Sequence, residues 1–367
     1  MKRRDFLAAG IGLSATSYFM WKLMNQSKSQ ASAKSYIVGN YSDSPDRLYD
    51  LGTNISKDVP SLLNIYDLET RLVSSVPIPC YGHSFEQSPK MPHLIGTVSK
   101  GGRWGAIVDI KKYQVEKKLE APPGMRYYGH GIFGPEGSFY ISAANEITTE
   151  SEILVYEDRK WDLVGKFKAG GLGGHAMFWL KPGTLMMAHQ YTLEDRRFSA
   201  ITKVNVDQQK VEKTYSVPRA THLLPLTEDI VVAGHRDTFD SDSSMVLFAL
   251  NHKTGQIFDP HSNIGLNPKF FVGEALGLVK VSEQAVGVST HDGGHVLVWD
   301  LQTNNIIGKK IGKKASGLIY SNEKLYVTNG RGNLLMENVD SGTMTLSSEV
   351  EIAKGFSNTS HIAMVTL

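Results

Sequence analysis

Regularly placed histidines are the feature of this sequence that could do chemistry. Five of the twelve histidines follow a small residue or a threonine and open an apolar run: His83, His130, His175, His222 and His361. Three more end short apolar segments: His189, His235 and His291. Neutral imidazole binds copper, iron and zinc, so a group of these side chains could hold a transition-metal ion without cysteine.

Two other interpretations fit the same histidines. Imidazole groups beside basic side chains could bind an anion or transfer protons, and the sequence offers Lys100, Arg103, Arg236 and Arg331 for this role. Each histidine could instead make a structural hydrogen bond inside its own repeat unit. The sequence alone leaves these alternatives open.

An internal repeat positions the histidines. Glu274 and Ser316 occupy the equivalent position in two further copies, and the seven positions follow one another at steps of 42 to 52 residues. Each copy contains four short segments of strand character, separated by turns. Four strands in a unit of about 40–50 residues are typical of a β-propeller blade. The sequence therefore predicts an all-β fold, a seven-bladed β-propeller of the WD40 or YVTN type.

Propeller topology predicts where the eight histidines lie. The repeated position falls where an innermost strand begins, beside the central channel. His189, His235 and His291 fall where second strands end, and both places lie on the same face of a propeller. We therefore expect one histidine-lined axial funnel and, as the preferred chemistry, an iron or copper ion bound there.

The two ends of the chain predict how the propeller closes. Ser35–Tyr41 has the character of a second strand and Leu62–Leu68 that of a third, so the first blade lacks its innermost strand. His361–Leu367 has the character of an innermost strand with no blade after it. We expect this C-terminal strand to complete the N-terminal blade, which would leave only short, protected sheet edges.

Residues 1–33 have the features of an export signal. A basic start with the twin arginines Arg3 and Arg4 precedes an apolar stretch, Ala8–Trp21, that is short for a membrane span. Small residues at Ala31–Ala33 fit a cleavage site, and an uncleaved anchor is the alternative. We predict periplasmic export by the twin-arginine route, with residues 34–367 forming a single propeller domain.

Charge and cysteine content exclude several classes of function. Losing the five basic residues and one acidic residue of residues 1–33 changes the formal net charge from +2 to −2. A nearly neutral mature chain predicts no nucleic-acid binding and no stable membrane insertion after cleavage, and we expect a monomer. The single cysteine, Cys80, excludes zinc-ribbon and dithiol redox sites.

Three segments carry a resemblance to a known family: Tyr127–Gly137, the pair Gly174–His175, and Gly293–Asp300. Together they resemble the secreted propeller family called domain of unknown function 1513 over about residues 36–340. The resemblance implies a seven-bladed propeller with a twin-arginine signal. It also implies a periplasmic role connected with iron, with imelysin-type iron-uptake proteins as partners. It implies no activity.

Three functions from different classes fit these observations. The first is a periplasmic protein that binds iron or copper at the funnel for metal uptake or handling. The second is a metal-dependent oxidoreductase or hydrolase at the same place. The third is a protein-interaction platform whose histidines are structural. The sequence does not decide whether the protein is an enzyme.

Overall fold

The protein is described from a computed structural model covering residues 34–41, 59–236, 245–259, 273–312, 314–340, 345–356 and 361–367. The export signal predicted at residues 1–33 lies outside these residues. The described chain forms 27 β-strands in antiparallel sheets and contains no helix. No helix in this part of the chain could therefore cross a membrane. The predicted all-β class is confirmed.

The first two sheets have four strands each. The first contains β1 (Ser35–Tyr41), β2 (Ser61–Asp67) and β3 (Val73–Ile78), together with the last strand of the chain, β27 (Ile362–Thr366), in the order β27-β1-β2-β3. Strand β27 pairs with β1, so that Ser35 faces Thr366. The second contains β4 (Gly82–Gln87), β5 (Leu94–Ser99), β6 (Trp104–Asp109) and β7 (Gln114–Glu120).

The third sheet has seven strands because one strand is shared. It contains β8 (Met125–Phe133), β9 (Phe139–Asn145), β10 (Glu150–Tyr156), β11 (Leu163–Lys181), β12 (Thr184–Tyr191), β13 (Ser199–Asn205) and β14 (Lys210–Val217). Strand β11 runs for 19 residues, through the glycines of Gly170–Gly174. Gly170 and Gly173 take positive φ angles of 84° and 61°, so the glycines bend the strand without ending it.

Three further four-stranded sheets complete the described fold. One contains β15 (His222–Pro225), β16 (Ile230–Arg236), β17 (Met245–Asn251) and β18 (Ile257–Phe258). The next contains β19 (Ala275–Lys280), β20 (Ala285–Thr290), β21 (His295–Asp300) and β22 (Asn305–Lys310). The last contains β23 (Ala315–Ser321), β24 (Lys324–Asn329), β25 (Asn333–Asp340) and β26 (Thr345–Lys354).

Acidic or amide side chains close the turns after many strands. Asp67 Oδ1 accepts hydrogen bonds from the backbone N–H groups of Glu69 and Thr70, at 2.8 and 3.0 Å. Asp109 and Asp300 close the equivalent turns of other sheets in the same way. The recurring Asp or Asn at strand ends is therefore a turn residue, because its short side chain satisfies two backbone donors.

Apolar side chains pack between neighbouring sheets. Tyr127 and Phe139 of the third sheet, for example, contact Val98 of the second, and all three are fully buried. A similar cluster joins Leu334 of the last sheet to Ile37 of the first. Burial of apolar area between the sheets is the main force that orders them.

The strands that begin each unit contact one another in chain order. Contacts join β4 to β8, β8 to β11, β11 to β15, β15 to β19 and β19 to β23. Strand β23 contacts β27, and β27 contacts β4. These strands therefore lie side by side, and each contains or directly follows the repeated position identified in the sequence.

Candidate metal centre

The five histidines of the repeated position come together in the structure. His83, His130 and His175 lie within β4, β8 and β11; His222 begins β15, and His361 directly precedes β27. Their ring centroids lie 4.4 to 6.1 Å from their neighbours, the shortest distance joining His130 and His175. The repeat therefore predicted this convergence correctly.

Four of these side chains present ligand atoms to a common point. One ring nitrogen from each lies within 4.8 Å of the other three, and the residues are His83, His130, His175 and His361. We call them the four-histidine group. The Nε2 atoms of His83 and His175 are 3.3 Å apart. Four imidazole nitrogens at such separations form a donor set that suits copper, iron or zinc.

The backbone fixes the orientation of His175. Its Nδ1 lies 2.5 Å from the carbonyl oxygen of Tyr128, to which it donates a hydrogen bond. A neutral ring that donates from Nδ1 keeps the lone pair of Nε2 available, and Nε2 is the atom that faces His83. The carbonyl therefore orients His175 as backbone carbonyls commonly orient metal-bound histidines.

Buried ring nitrogens without hydrogen-bond partners fit a metal-binding role. Among the described residues, Nε2 of His130 and Nε2 of His361 are buried and have no hydrogen-bond partner. A buried polar atom left without a partner costs about 1–3 kcal/mol. Two such atoms in the four-histidine group fit a bound ion that would use their lone pairs.

Gly129 allows the rings to approach. Its φ angle is +106°, and an added Cβ atom would lie 2.7 Å from Cδ2 of His83 and 2.7 Å from Cε1 of His175. Both contacts are shorter than carbon atoms tolerate. A residue without a side chain is therefore needed directly before His130.

Burial keeps the four-histidine group neutral. Burial lowers the pKa of His83, His130, His175 and His361 well below the ordinary value of 6.5, and the positive charge of Lys100 lowers each of them further. Neutral imidazole is the form that binds metal ions. The group is therefore ready for a metal ion at neutral pH without first losing protons.

Glu274 borders the group on the side of His222. Its Oε1 lies 3.4 Å from Nε2 of His222 and 3.3 Å from Nδ1 of His235. Burial alone would raise the pKa of Glu274, but hydrogen bonds from His222 and His235 outweigh it and hold the pKa well below the ordinary value. Burial lowers the pKa of His222, and Glu274 opposes that effect. Glu274 is therefore a partly buried carboxylate that carries a negative charge beside the histidines.

The three histidines at second-strand ends have different surroundings. His235 also contacts Thr221, with Nδ1 2.9 Å from the hydroxyl oxygen. His291 Nδ1 is 3.2 Å from Oδ1 of Asp292, and its backbone N–H donates to the carbonyl of Glu274. Neither side chain is part of the four-histidine group.

His189 has hydrogen-bond partners for both ring nitrogens. Nδ1 is 3.0 Å from the hydroxyl of Ser151, and Nε2 is 2.7 Å from the hydroxyl of Thr202. The residue is fully buried, and burial lowers its pKa to about 3. Both contacts lie within the third sheet and are those of a structural histidine. A structural role was one of the alternatives that the sequence left open for all eight histidines.

Sequence reasoning missed part of this arrangement. The repeat placed Glu274 in an equivalent position, but nothing in the pattern showed that its carboxylate contacts two histidines. The carbonyl of Tyr128 carries no sequence signal. Of the basic residues considered for anion binding, Lys100 acts on the histidines electrostatically, and the side chain of Arg236 lies outside the described structure. The Gly129–His130 pair was the available sign of close ring packing.

One segment of the chain matches a known family model. Residues 76–207 match the family model described as protein of unknown function (DUF1513). No curated protein sequence matches the chain. The resemblance found in the sequence is therefore confirmed over that segment.

Solved structures with similar folds have low sequence identity. A hypothetical selenium-binding protein from Sulfolobus tokodaii is 16% identical, with a TM-score of 0.62 over 92% of this chain and 93% of that chain. Hydrazine synthase of Kuenenia stuttgartiensis is 11% identical, with a TM-score of 0.60 over 79% and 89%. The WD40 repeats of RRP9 are 10% identical, with a TM-score of 0.50 over 73% and 81%. These likenesses show a propeller-like fold alone.

Proposed function

We propose, from the site itself, that this protein binds a transition-metal ion at the four-histidine group. The observation that carries the proposal is the meeting of four ring nitrogens within 4.8 Å. The unpartnered Nε2 atoms of His130 and His361 support it. Iron or copper is the proposed ion, in connection with metal uptake or handling.

His222, His235 and Glu274 are proposed to act beside the bound ion. His222 lies within 5.2 Å of His175 and His361 by ring centroid and could join the ligands. Glu274 supplies negative charge and orients both histidines. His189 is left out of the proposed ligand set because hydroxyl groups occupy both of its ring nitrogens.

The proposed scaffold is a closed seven-bladed propeller. Dividing the long strand β11 between two units gives seven groups of four strands. The contacts of β23 with β27, and of β27 with β4, support a ring that the C-terminal strand completes. In such a ring the five histidines surround the axis, which accounts for their meeting from distant parts of the sequence.

Export to the periplasm by the twin-arginine route is proposed from residues 1–33. That route carries folded proteins, so a metal ion could be acquired before export. A connection with periplasmic iron-uptake proteins is proposed on the same basis as the family resemblance.

Metal analysis tests the central proposal. The mature protein is stripped of metal and dialysed separately against micromolar copper(II), iron(II) and zinc(II), and bound metal is measured per chain. We expect one tightly bound iron or copper ion in the wild type and none in His130→Ala/His175→Ala. Tight binding of zinc alone would contradict the proposed identity of the ion.

A matched control separates metal binding from folding. His93→Ala removes a half-exposed histidine whose Nε2 lies 3.9 Å from Asp109, outside the four-histidine group. This variant should bind metal like the wild type, and the thermal unfolding of all three proteins shows whether they fold. A wild type that binds none of the three ions, or a double variant that binds as well as the wild type, makes the proposal wrong.

A further inference from the structure

Arginine and tyrosine side chains lie directly beside the four-histidine group. Arg126 and Tyr128 lie on β8, four and two residues before His130. The guanidinium carbon of Arg126 lies 5.8 Å from the centre of the Tyr128 ring. That ring lies 6.2 Å from the ring of His175 by centroid. Arg126 is therefore separated from the histidines by one aromatic ring.

A second arginine group surrounds Tyr191. The guanidinium carbons of Arg219 and Arg196 lie 5.0 and 6.0 Å from the centre of its ring. Arg219 is only 5% exposed, and its Nη1 donates a hydrogen bond of 3.3 Å to the carbonyl of Gln190. The cationic side chains of Arg126, Arg196 and Arg219 thus lie next to the rings of Tyr128 and Tyr191.

Gln190 joins the two groups. Its side-chain oxygen accepts a 3.1 Å hydrogen bond from the hydroxyl of Tyr128, and its backbone carbonyl accepts the bond from Arg219. We call the connected set the arginine mouth; it consists of Arg126, Tyr128, Gln190, Tyr191, Arg196 and Arg219. The mouth is continuous with the four-histidine group through Tyr128, whose carbonyl orients His175.

Two arginines of the mouth, Arg126 and Arg196, have no acidic partner among the described residues. Among the described residues, no carboxylate lies within ion-pair distance of Arg126 or Arg196, whereas Asp195 pairs with Arg197 at 2.7 Å. Arginine is always charged at physiological pH. A guanidinium stacked on an aromatic face keeps its N–H edge available for a planar oxyanion. An anionic ligand would satisfy this arrangement.

We propose that the arginine mouth binds a small polycarboxylate anion. Several separate guanidinium groups match several carboxylates on one ligand better than they match a single charge. Polycarboxylates also bind metal ions through oxygen. On the premise of the proposed function, the metal ion reaches the four-histidine group as a complex with such an anion. The imidazoles then take the ion from that complex.

Calorimetric titration of the metal-free protein with citrate tests the mouth independently of metal. The variants are Arg126→Gln and Arg196→Gln, which remove charge without touching a histidine. Hydrogen bonds to charged groups are strong enough that we expect at least about tenfold weaker citrate binding in each variant. The control is Arg71→Gln. Arg71 is exposed and lies in the turn after Asp67, at the end of the first sheet that is farther from His361.

The outcomes separate this inference from the metal proposal. Citrate that does not bind, or that binds equally to all four proteins, overturns the polycarboxylate site even where copper or iron still binds. Inorganic phosphate that binds as tightly as citrate also overturns it, because the site would then be selective only for negative charge. Citrate bound through Arg126 by a protein that binds no metal supports the mouth and contradicts the metal proposal alone.

Discussion

The Nε2 atoms of His83 and His175 lie 3.3 Å apart, although the two residues are 92 positions apart in the sequence. Two ligand atoms at about 2.0–2.1 Å from a tetrahedral ion are separated by about 3.4 Å. Strands β4 and β11 therefore hold this pair at the separation that a shared ion requires. This pair of donors thus already has the spacing of two metal ligands in the structure.

The first prediction concerns Gly129. Gly129→Ala places a Cβ atom 2.7 Å from both His83 and His175, so the rings must move apart. Displacing ligands and their supports should lower metal affinity at least about tenfold. The dissociation constant of the metal complex, measured by competition with a chelator, gives the result.

Gly124→Ala is the control for this change. Gly124 also has a positive φ angle, 77°, but an added Cβ atom meets nothing within 4 Å. The backbone strain is therefore similar while the histidines stay in place. We expect wild-type metal affinity in Gly124→Ala; equal affinity in the two variants would contradict the role given to Gly129.

The sequence predicted the position of the site better than its details. Spacing placed His83, His130 and His361 at equivalent points of successive repeats, and strand topology then required them to meet. The roles of individual side chains depend on contacts that no spacing encodes. His189, for example, finds Ser151 and Thr202 at 38 and 13 positions away, and both contacts depend on strand register.

For the fold, too, the sequence predicted the general arrangement better than the details. Repeat length predicted the four-stranded units, because each needs the same number of residues to cross the sheet and return. The continuity of β11 has no signal in the sequence, because glycines usually weaken a strand. Here Gly171 lies where a Cβ atom would be 2.3 Å from the ring of His189, so the glycine makes room for that buried ring.

The second prediction concerns the charge of Glu274. Glu274→Gln keeps the size of the side chain and removes a partly buried negative charge from beside His222 and His235. Less negative charge near a cation, and poorer orientation of the two histidines, should weaken metal binding about tenfold or more. Titration of the metal-free variant measures this.

Glu283→Gln serves as the matched control. The side chain of Glu283 is 71% exposed and pairs with Lys280 between β19 and β20, away from the histidines. Surface ion pairs of this kind contribute little to the free energy of unfolding, so metal affinity and stability should both stay unchanged. Unaltered binding in Glu274→Gln would show that its carboxylate does not serve the site.

The third prediction concerns the C-terminal strand. Deleting residues 361–367 removes β27, exposes the edge of β1 and uncovers apolar side chains such as Ile37. We expect little soluble protein, because an open edge favours aggregation. His361→Ala in the full-length chain keeps the strand and should remain soluble. A truncated protein with the unfolding temperature of the wild type would show that β27 does not stabilise the fold.

The fourth prediction concerns export. Changing Arg3 and Arg4 together to lysine keeps the charge but removes the twin arginines, so precursor should accumulate in the cytoplasm. Cell fractionation followed by immunoblotting measures the distribution. Lys28→Gln changes a basic residue outside the pair and should leave export intact. Periplasmic protein at wild-type levels from the double variant would refute the route.

The fifth prediction concerns the acid sensitivity caused by His189. Its pKa is about 3 in the folded protein, whereas an unfolded histidine has a pKa near 6.5. Between these values the unfolded chain binds a proton that the folded chain does not. The contribution of His189 to the free energy of unfolding is therefore complete above about pH 6.5 and declines as the pH falls, by about 1.4 kcal/mol per pH unit.

Two variants measure that single proton. His189→Gln removes the titrating group, so the fall in the free energy of unfolding between pH 6 and pH 4 should be shallower than in the wild type by about 1.4 kcal/mol per pH unit. Thr202→Val removes a hydrogen-bond partner but leaves His189 buried, and because burial is the main cause of the low pKa, its slope should match the wild type. Urea unfolding of the metal-free proteins at several pH values gives the slopes. The same slope in His189→Gln and the wild type would mean that His189 takes up its proton without unfolding, which its complete burial between two hydroxyl groups argues against.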